Sequence, residues 1–137
     1  EETNQFCDFT EVVLEIISKS GIKHGSVTLF TPHTTTAVVI NESETGYIND
    51  FKKKIEELVP SDSYYEHDDW DLRTENMQED ENVNGRSHVR GTIIGSSGVT
   101  LPIINSELII GRWQRLFFVE LDCARSRRLF VQTTNLN

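Results

Sequence analysis

Basic charge is scarce in this 137-residue chain: 13 Lys and Arg stand against 22 Asp and Glu, a net charge of -9. A protein that grips nucleic acid or an anionic membrane needs a basic face, so neither is expected as a partner. No apolar run approaches the roughly 20 residues needed to cross a bilayer. The first ten residues, EETNQFCDFT, lack both a basic start and an apolar segment, which reads against a signal peptide. Without an initiator Met the chain is expected to be trimmed or processed, with an N-terminal strand missing. Cysteine is scarce too: Cys7 and Cys123 form no CxxC and have no neighbours at metal-ligand spacing, so a reduced, cytoplasmic setting is expected. There is no internal repeat, no GxGxxG, no Walker loop, no GxSxG and no HExxH, so common nucleotide sites and hydrolase triads are not signalled.

What is present is an ordinary globular composition, 36% hydrophobic with twelve aromatics, and a length that fits one domain. The charge is unevenly placed. Residues 1–85 hold 6 Lys and Arg against 19 Asp and Glu; residues 86–137 hold 7 against 3, all seven of them Arg. Arginine suits bidentate grip on phosphate or carboxylate. The plainer alternative is that these arginines pair with the acidic half across the fold.

Phe9, Val13, Ile16 and Ile17 recur at helical spacing before Gly21, with Asp8 and Glu11 at capping-box positions, which predicts a helix over 9–20. SVTLFT (26–31) and TTAVVIN (35–41) predict strands on either side of the Pro32 turn. Ile48, Phe51, Ile55 and Leu58 predict a second helix, started by Ser43 or Thr45 and stopped at Pro60. Residues 61–87 carry no period, and eight of the sixteen residues from 66 to 81 are acidic. They read as a long surface loop, partly mobile, with the acidic insert at about 66–86. SHVRGTIIGSSGVTLPI (87–103) reads as a hairpin turning at Ser97 and Gly98, followed by strands at 106–110, 114–122 and 127–134. The whole, 1–137, is expected to be one α+β domain, a largely antiparallel sheet folded into a sandwich with two helices on one side.

Three of the four histidines sit at element edges among polar neighbours: His33 in TPHTTT, His67 in YYEHDDW and His88 in GRSHVR; His24 reads as surface. Three imidazoles from separate segments suit a divalent metal with an open position, although scattered histidines are more often unrelated. Glu42, closing the TTAVVIN strand, and Asp68 or Asp69, after His67, are candidate general bases or partners that orient a ligating imidazole. Against that, the aspartates suit a solvated loop and Glu42 suits a helix start. Ser96 and Ser97 in GSSG offer an anion nest or an ordinary turn. Trp113, in GRWQR, reads as the tip of a hairpin, a lid on the core or a wall for a ring-shaped ligand.

The ordered set TPHTTTAVVINE, LVP, YxHDD, SHVR, GSSGVTLPI, GRWQxLxFxExD and ARxRxLFV resembles the YjbQ-like family over about residues 9–134. The resemblance implies a compact α+β sandwich assembled as a homotrimer, with the polar motif residues lining a pocket. It also implies a secondary activity of the thiamine-phosphate synthase type, coupling a pyrimidine diphosphate to a thiazole phosphate with release of pyrophosphate. His33, His67 and His88 fall on the family's motif histidines, and Glu42, Gly111, Trp113, Gln114, Glu120 and Arg125 on other motif positions. One departure stands out: 20 residues separate His67 from His88, more than in many relatives, and their acidity opposes entry of a diphosphate.

The resulting expectation is an enzyme acting on a small phosphorylated heterocycle, with zinc, manganese or magnesium at His33, His67 and His88. Glu42 or Asp69 would move a proton. The threonine hydroxyls of Thr34 and Thr35, with Ser96, Ser97, Trp113, Gln114 and Arg125, would bind substrate. A metal-assisted hydrolase and a trimeric binding module without turnover are the alternatives.

Overall fold

The structure is a computed structural model that describes residues 3–95 and 97–136. Its elements run β1 (Gln5–Asp8), α1 (Thr10–Ser20), β2 (His24–Phe30), β3 (Thr36–Glu42), α2 (Thr45–Leu58), a 3-10 turn (Glu66–Asp68), α3 (Gly85–Ile94), β4 (Gly98–Ile104), β5 (Glu107–Leu108), β6 (Gln114–Glu120) and β7 (Phe130–Asn135). Two antiparallel sheets result, ordered β1-β6-β3 and β5-β4-β2-β7. This is the α+β sandwich the sequence predicts.

Strands β3 and β6 carry apolar residues on both faces. Val38 and Leu116 join Val27, Leu29 and Ile103 in the core between the sheets, while Ala37, Phe117, Val119 and Leu121 face the other way. The helices pack against both groups of apolar residues. Val13 and Ile17 of α1 enter the core between the sheets. On the other face Phe6 meets Phe117 and, from α2, Phe51, with ring centroids 5.4 and 5.0 Å away.

Corrections follow from local physics. β1, which the sequence reading does not contain, pairs with β6. The stretch expected as the first arm of a hairpin is α3, closed by Gly95 in the left-handed region at φ 76°. Its β-branched residues misled the reading because they face outward: Val89 and Ile93 are exposed, whereas Gly85, Ser87 and Arg90 are buried. Ser87 donates to the Leu121 carbonyl at 2.8 Å, and Arg90 to the Val59 carbonyl at 2.6 and 3.1 Å. A helix that buries polar residues through hydrogen bonds shows no apolar period. The real hairpin turns at Asn105 and Ser106, whose φ values are both positive. The strand expected over 106–110 shrinks to two residues, and β6 and β7 join different sheets.

Candidate functional site

A cavity of about 730 Å³ opens where the β2–β3 connection, the 66–86 loop, α3 and the segment after β6 converge. His33, His67 and His88 all line it, with Thr34, Thr35 and Arg125. Six of the residues named from the sequence are thus brought to one cavity.

The TPHTTT turn is built by its own hydroxyls. Buried Thr31 and Thr36 share a hydrogen bond of 2.7 Å, and Thr36 Oγ1 donates to the His33 carbonyl at 3.2 Å. Thr35 Oγ1 accepts from Arg127 Nη2 at 3.0 Å. His33 Nε2 accepts the Arg128 backbone N–H at 2.9 Å, so in the neutral ring the proton sits on Nδ1. Burial, reinforced by Arg127, holds its pKa below the ordinary histidine value.

His67 is held from below by Asp68. Nδ1 lies 3.2 Å from Asp68 Oδ1, and the same carboxylate accepts the backbone N–H groups of Asn84 and Gly85 at the start of α3, each at 2.9 Å. A helix N-terminus favours that negative charge. His88, one turn into α3, lies against His67 with ring centroids 4.5 Å apart and planes at 33°. Burial lowers the His88 pKa, and the neighbouring His67 lowers it further against the pull of Asp122 and Glu81.

Two buried carboxylates, themselves outside the lining, hold the lining arginines Arg125 and Arg127. Glu120 takes a bidentate grip from Arg127, Nε to Oε2 at 2.5 Å and Nη2 to Oε1 at 2.6 Å. Asp122 accepts from Asn84 Nδ2 at 3.0 Å and pairs with Arg125. Pairing with the acidic half, the plainer expectation, describes Arg115 with Asp8 and Glu11 and Arg90 with Glu56, whereas Arg125 and Arg127 take partners from their own Arg-rich part of the chain. The acidic loop is a wall of the cavity. Arg73 Nη1 reaches Glu81 at 2.6 Å and the His67 carbonyl at 3.1 Å, folding the loop back on the histidine.

Other expected residues lie elsewhere. Glu42 and Gln114 face each other across β3 and β6 at the end away from His33, ~20 Å from Thr36 at the usual strand rise. Glu42 is exposed there, so it is not the base of this cavity. Gln114 Oε1 accepts from Gly111 N at 2.7 Å and shapes a turn. Trp113 is exposed with Arg112 over its ring at 4.9 Å. Asp69 turns away and accepts the Tyr64 hydroxyl at 2.7 Å. Ser97 lines a smaller pocket, of about 370 Å³, beside His33 and His88, and Ser96 lies outside the described residues.

The three histidines do not converge as a metal centre. Among the described residues no three His, Cys, Asp or Glu side chains are placed to hold one ion. His33 spends Nε2 on a backbone amide and His67 turns Nδ1 to Asp68, so zinc, manganese or magnesium does not fit the rings as they stand.

Asn84, Arg127, Asp122 and Arg73 were missed as site residues. The signal for Asp122 was Glu120 and Asp122 alternating at the end of an apolar strand, where an inward carboxylate needs a partner. For Asn84 and Arg73 the sequence carries no periodic cue.

Gly85 sets the spacing of the pair. A Cβ there would lie 2.7 Å from Tyr65 Cβ and 3.0 Å from Asp68 Oδ2. Gly85→Ala is expected to cost about 1–3 kcal/mol in denaturant unfolding. An unchanged midpoint would show that the turn yields freely.

The model of the family described as "UPF0047 protein YjbQ-like" matches residues 1–136. The chain belongs to the YjbQ/UPF0047 family. It is 36% identical to the UPF0047 protein of Archaeoglobus fulgidus, covering 93% of this chain and 90% of that one. With the relative from Methanothermobacter thermautotrophicus it shares 35%, over 93% and 80% of the two chains. Among solved structures it resembles a hypothetical protein from Aeropyrum pernix, with a TM-score of 0.84 and 31% identity over 99% of this chain and 92% of that one. A YbjQ-like protein of unknown function from Sulfolobus solfataricus gives a TM-score of 0.80 and 32% identity over 96% and 86%. The YjbQ-like fold thus accounts for nearly all of the chain, the histidine cavity included.

Proposed function

We propose that this YjbQ-like cavity binds a small phosphorylated molecule and that His67 and His88 transfer protons to and from it. The observation that carries this reading is the imidazole pair at 4.5 Å inside the cavity. Rings so close resist double protonation, and two adjacent imidazoles can divide the work of acid and base between them. Asp68 fixes the proton of His67 on Nδ1 and leaves Nε2 as its working nitrogen. A phosphate oxygen would meet the Thr34 hydroxyl and Arg125, whose side chain stays 40% exposed despite Asp122.

The wall residues Glu75, Asp80 and Glu81 oppose a diphosphate and favour a monophosphate. Coupling of the thiamine-phosphate synthase type is correspondingly less supported, since Trp113, the expected stacking partner, lies outside the cavity. A cytoplasmic setting suits the two free, exposed thiols. Among the described residues no helix is long and apolar enough to cross a membrane.

A homotrimer is part of the proposal. The outward residues of β2, β4 and β7, among them Ser26, Thr28, Thr100, Gln132 and Thr134, include no Asp, Glu, Lys or Arg, and Phe30 and Phe130 pair at one end. An uncharged flat face on a strongly charged chain suits burial against copies of itself. Sedimentation at the mass of one chain would remove that part.

The functional test is a screen of phosphate monoesters and diphosphates for release of phosphate or pyrophosphate, with and without zinc, manganese or magnesium. Turnover of a monoester that survives chelation is expected. Protection against heat by inorganic phosphate without turnover on any compound would replace the enzyme with a binding module.

A further inference from the structure

A second cavity, of about 380 Å³, lies on the far side of the 3-10 turn, walled by Tyr64, Tyr65, Trp70, Asp68, Asp69 and Arg86. Three aromatic side chains within seven residues come to one hollow, and two stay open to solvent: Tyr64 is 68% exposed and Trp70 46%. Neither phenol is loose. Tyr65 donates to the Pro60 carbonyl at 2.6 Å, and Tyr64 to Asp69 Oδ2 at 2.7 Å. Donation to a carboxylate enriches the Tyr64 ring in electrons, and the same bond pushes the Tyr64 pKa up to about 12 while holding Asp69 below the ordinary carboxylate value.

The electrostatics select a cation. Asp68 and Asp69 outnumber Arg86 on the walls, and residues 66–81 around them carry eight acidic side chains. Arg86 itself turns Nη1 to the Val83 carbonyl at 3.1 Å. Among the described residues the one cation held over an aromatic ring is Arg112 on Trp113, so the Trp70 and tyrosine faces are not already taken by the chain's own cations. Aromatic walls attract a cation through the ring quadrupole, and a carboxylate beside them adds Coulomb attraction without requiring a hydrogen-bond donor on the ligand.

We infer that this aromatic and acidic hollow is a binding site for an organic ammonium ion, an alkylated amine whose methyl groups pack on Trp70 and Tyr64 and whose charge faces Asp69. The hollow touches the proton-transfer pair through Asp68, which lines the hollow and lies 3.2 Å from His67 Nδ1.

The test is saturation-transfer NMR on the methyl signal of tetramethylammonium, with tert-butanol as an uncharged isostere at matched ionic strength. Saturable transfer is expected for tetramethylammonium alone, weakened about tenfold by Trp70→Ala and by Asp69→Asn. Trp70→Phe keeps a ring and is expected to bind within a few-fold of the wild type, which separates loss of the site from loss of the fold. Trp113→Ala is expected to change nothing. Absence of saturable transfer in the wild type, equal binding of tert-butanol, or full binding by Trp70→Ala would each overturn the inference.

Discussion

Arg90→Ala is expected to lower the stability of the fold by about 3 kcal/mol. The side chain is fully buried, and its guanidinium spends Nε and Nη2 on the Val59 carbonyl at the end of α2. The same Nη2 lies 2.5 Å from Glu56 Oε2 and 3.2 Å from Ser61 Oγ. One residue thus ties α3 to the exit of α2 and to the segment that leads to His67. Glu56 is half-exposed and regains water when the arginine goes, so the ion pair contributes only part of the cost. The larger part is the Val59 carbonyl left without a donor and the volume left empty. Arg90→Met, which fills most of the volume and donates nothing, is expected to recover only part of the loss. Urea unfolding of both variants measures this; a loss under about 1 kcal/mol for alanine would show the contacts to be incidental.

The second large effect falls on turnover. With a monophosphate substrate from the screen, His88→Ala is expected to reduce kcat by about 10²–10⁴-fold, the usual range for removing a positioned proton-transfer group. Asp68→Asn is expected to reduce kcat while leaving KM within a few-fold. Asp68 touches His67 and the start of α3 but does not line the main cavity, so it acts as a positioning residue. A drop in affinity with kcat preserved would mean that the pair binds substrate and does no proton transfer.

The sandwich was legible where side chains alternate or recur plainly. Val13 and Ile17 mark α1, and the β-branched run from Thr36 to Ile40 marks a strand buried on both faces. Legibility failed where the buried residues are polar. Ser87 and Arg90 satisfy their hydrogen bonds against Leu121 and Val59, so α3 hides behind the outward-facing Val89 and Ile93. β1 is short and mostly exposed, and its pairing with β6 is a tertiary fact that four residues do not announce. In the site, the motif histidines and Thr34 come to one cavity, as the motifs that carry them led the sequence reading to group them. Glu42 was misplaced because a strand of seven residues carries its two ends to opposite sides of the molecule. The loop's wall position rests on Arg73, a single cation in an acidic stretch whose partner, Glu81, sequence distance does not reveal.

The closeness of His67 and His88 is tested most directly by following both imidazole signals through a pH titration by NMR, in the wild type and in His67→Ala. In the wild type His88 is expected to titrate below the ordinary histidine value of about 6.5, burial being the main cause and its neighbour the second. Removing His67 is expected to move that titration upward. Titration of His88 at the ordinary value, unchanged in the variant, would contradict a coupled proton-transfer pair.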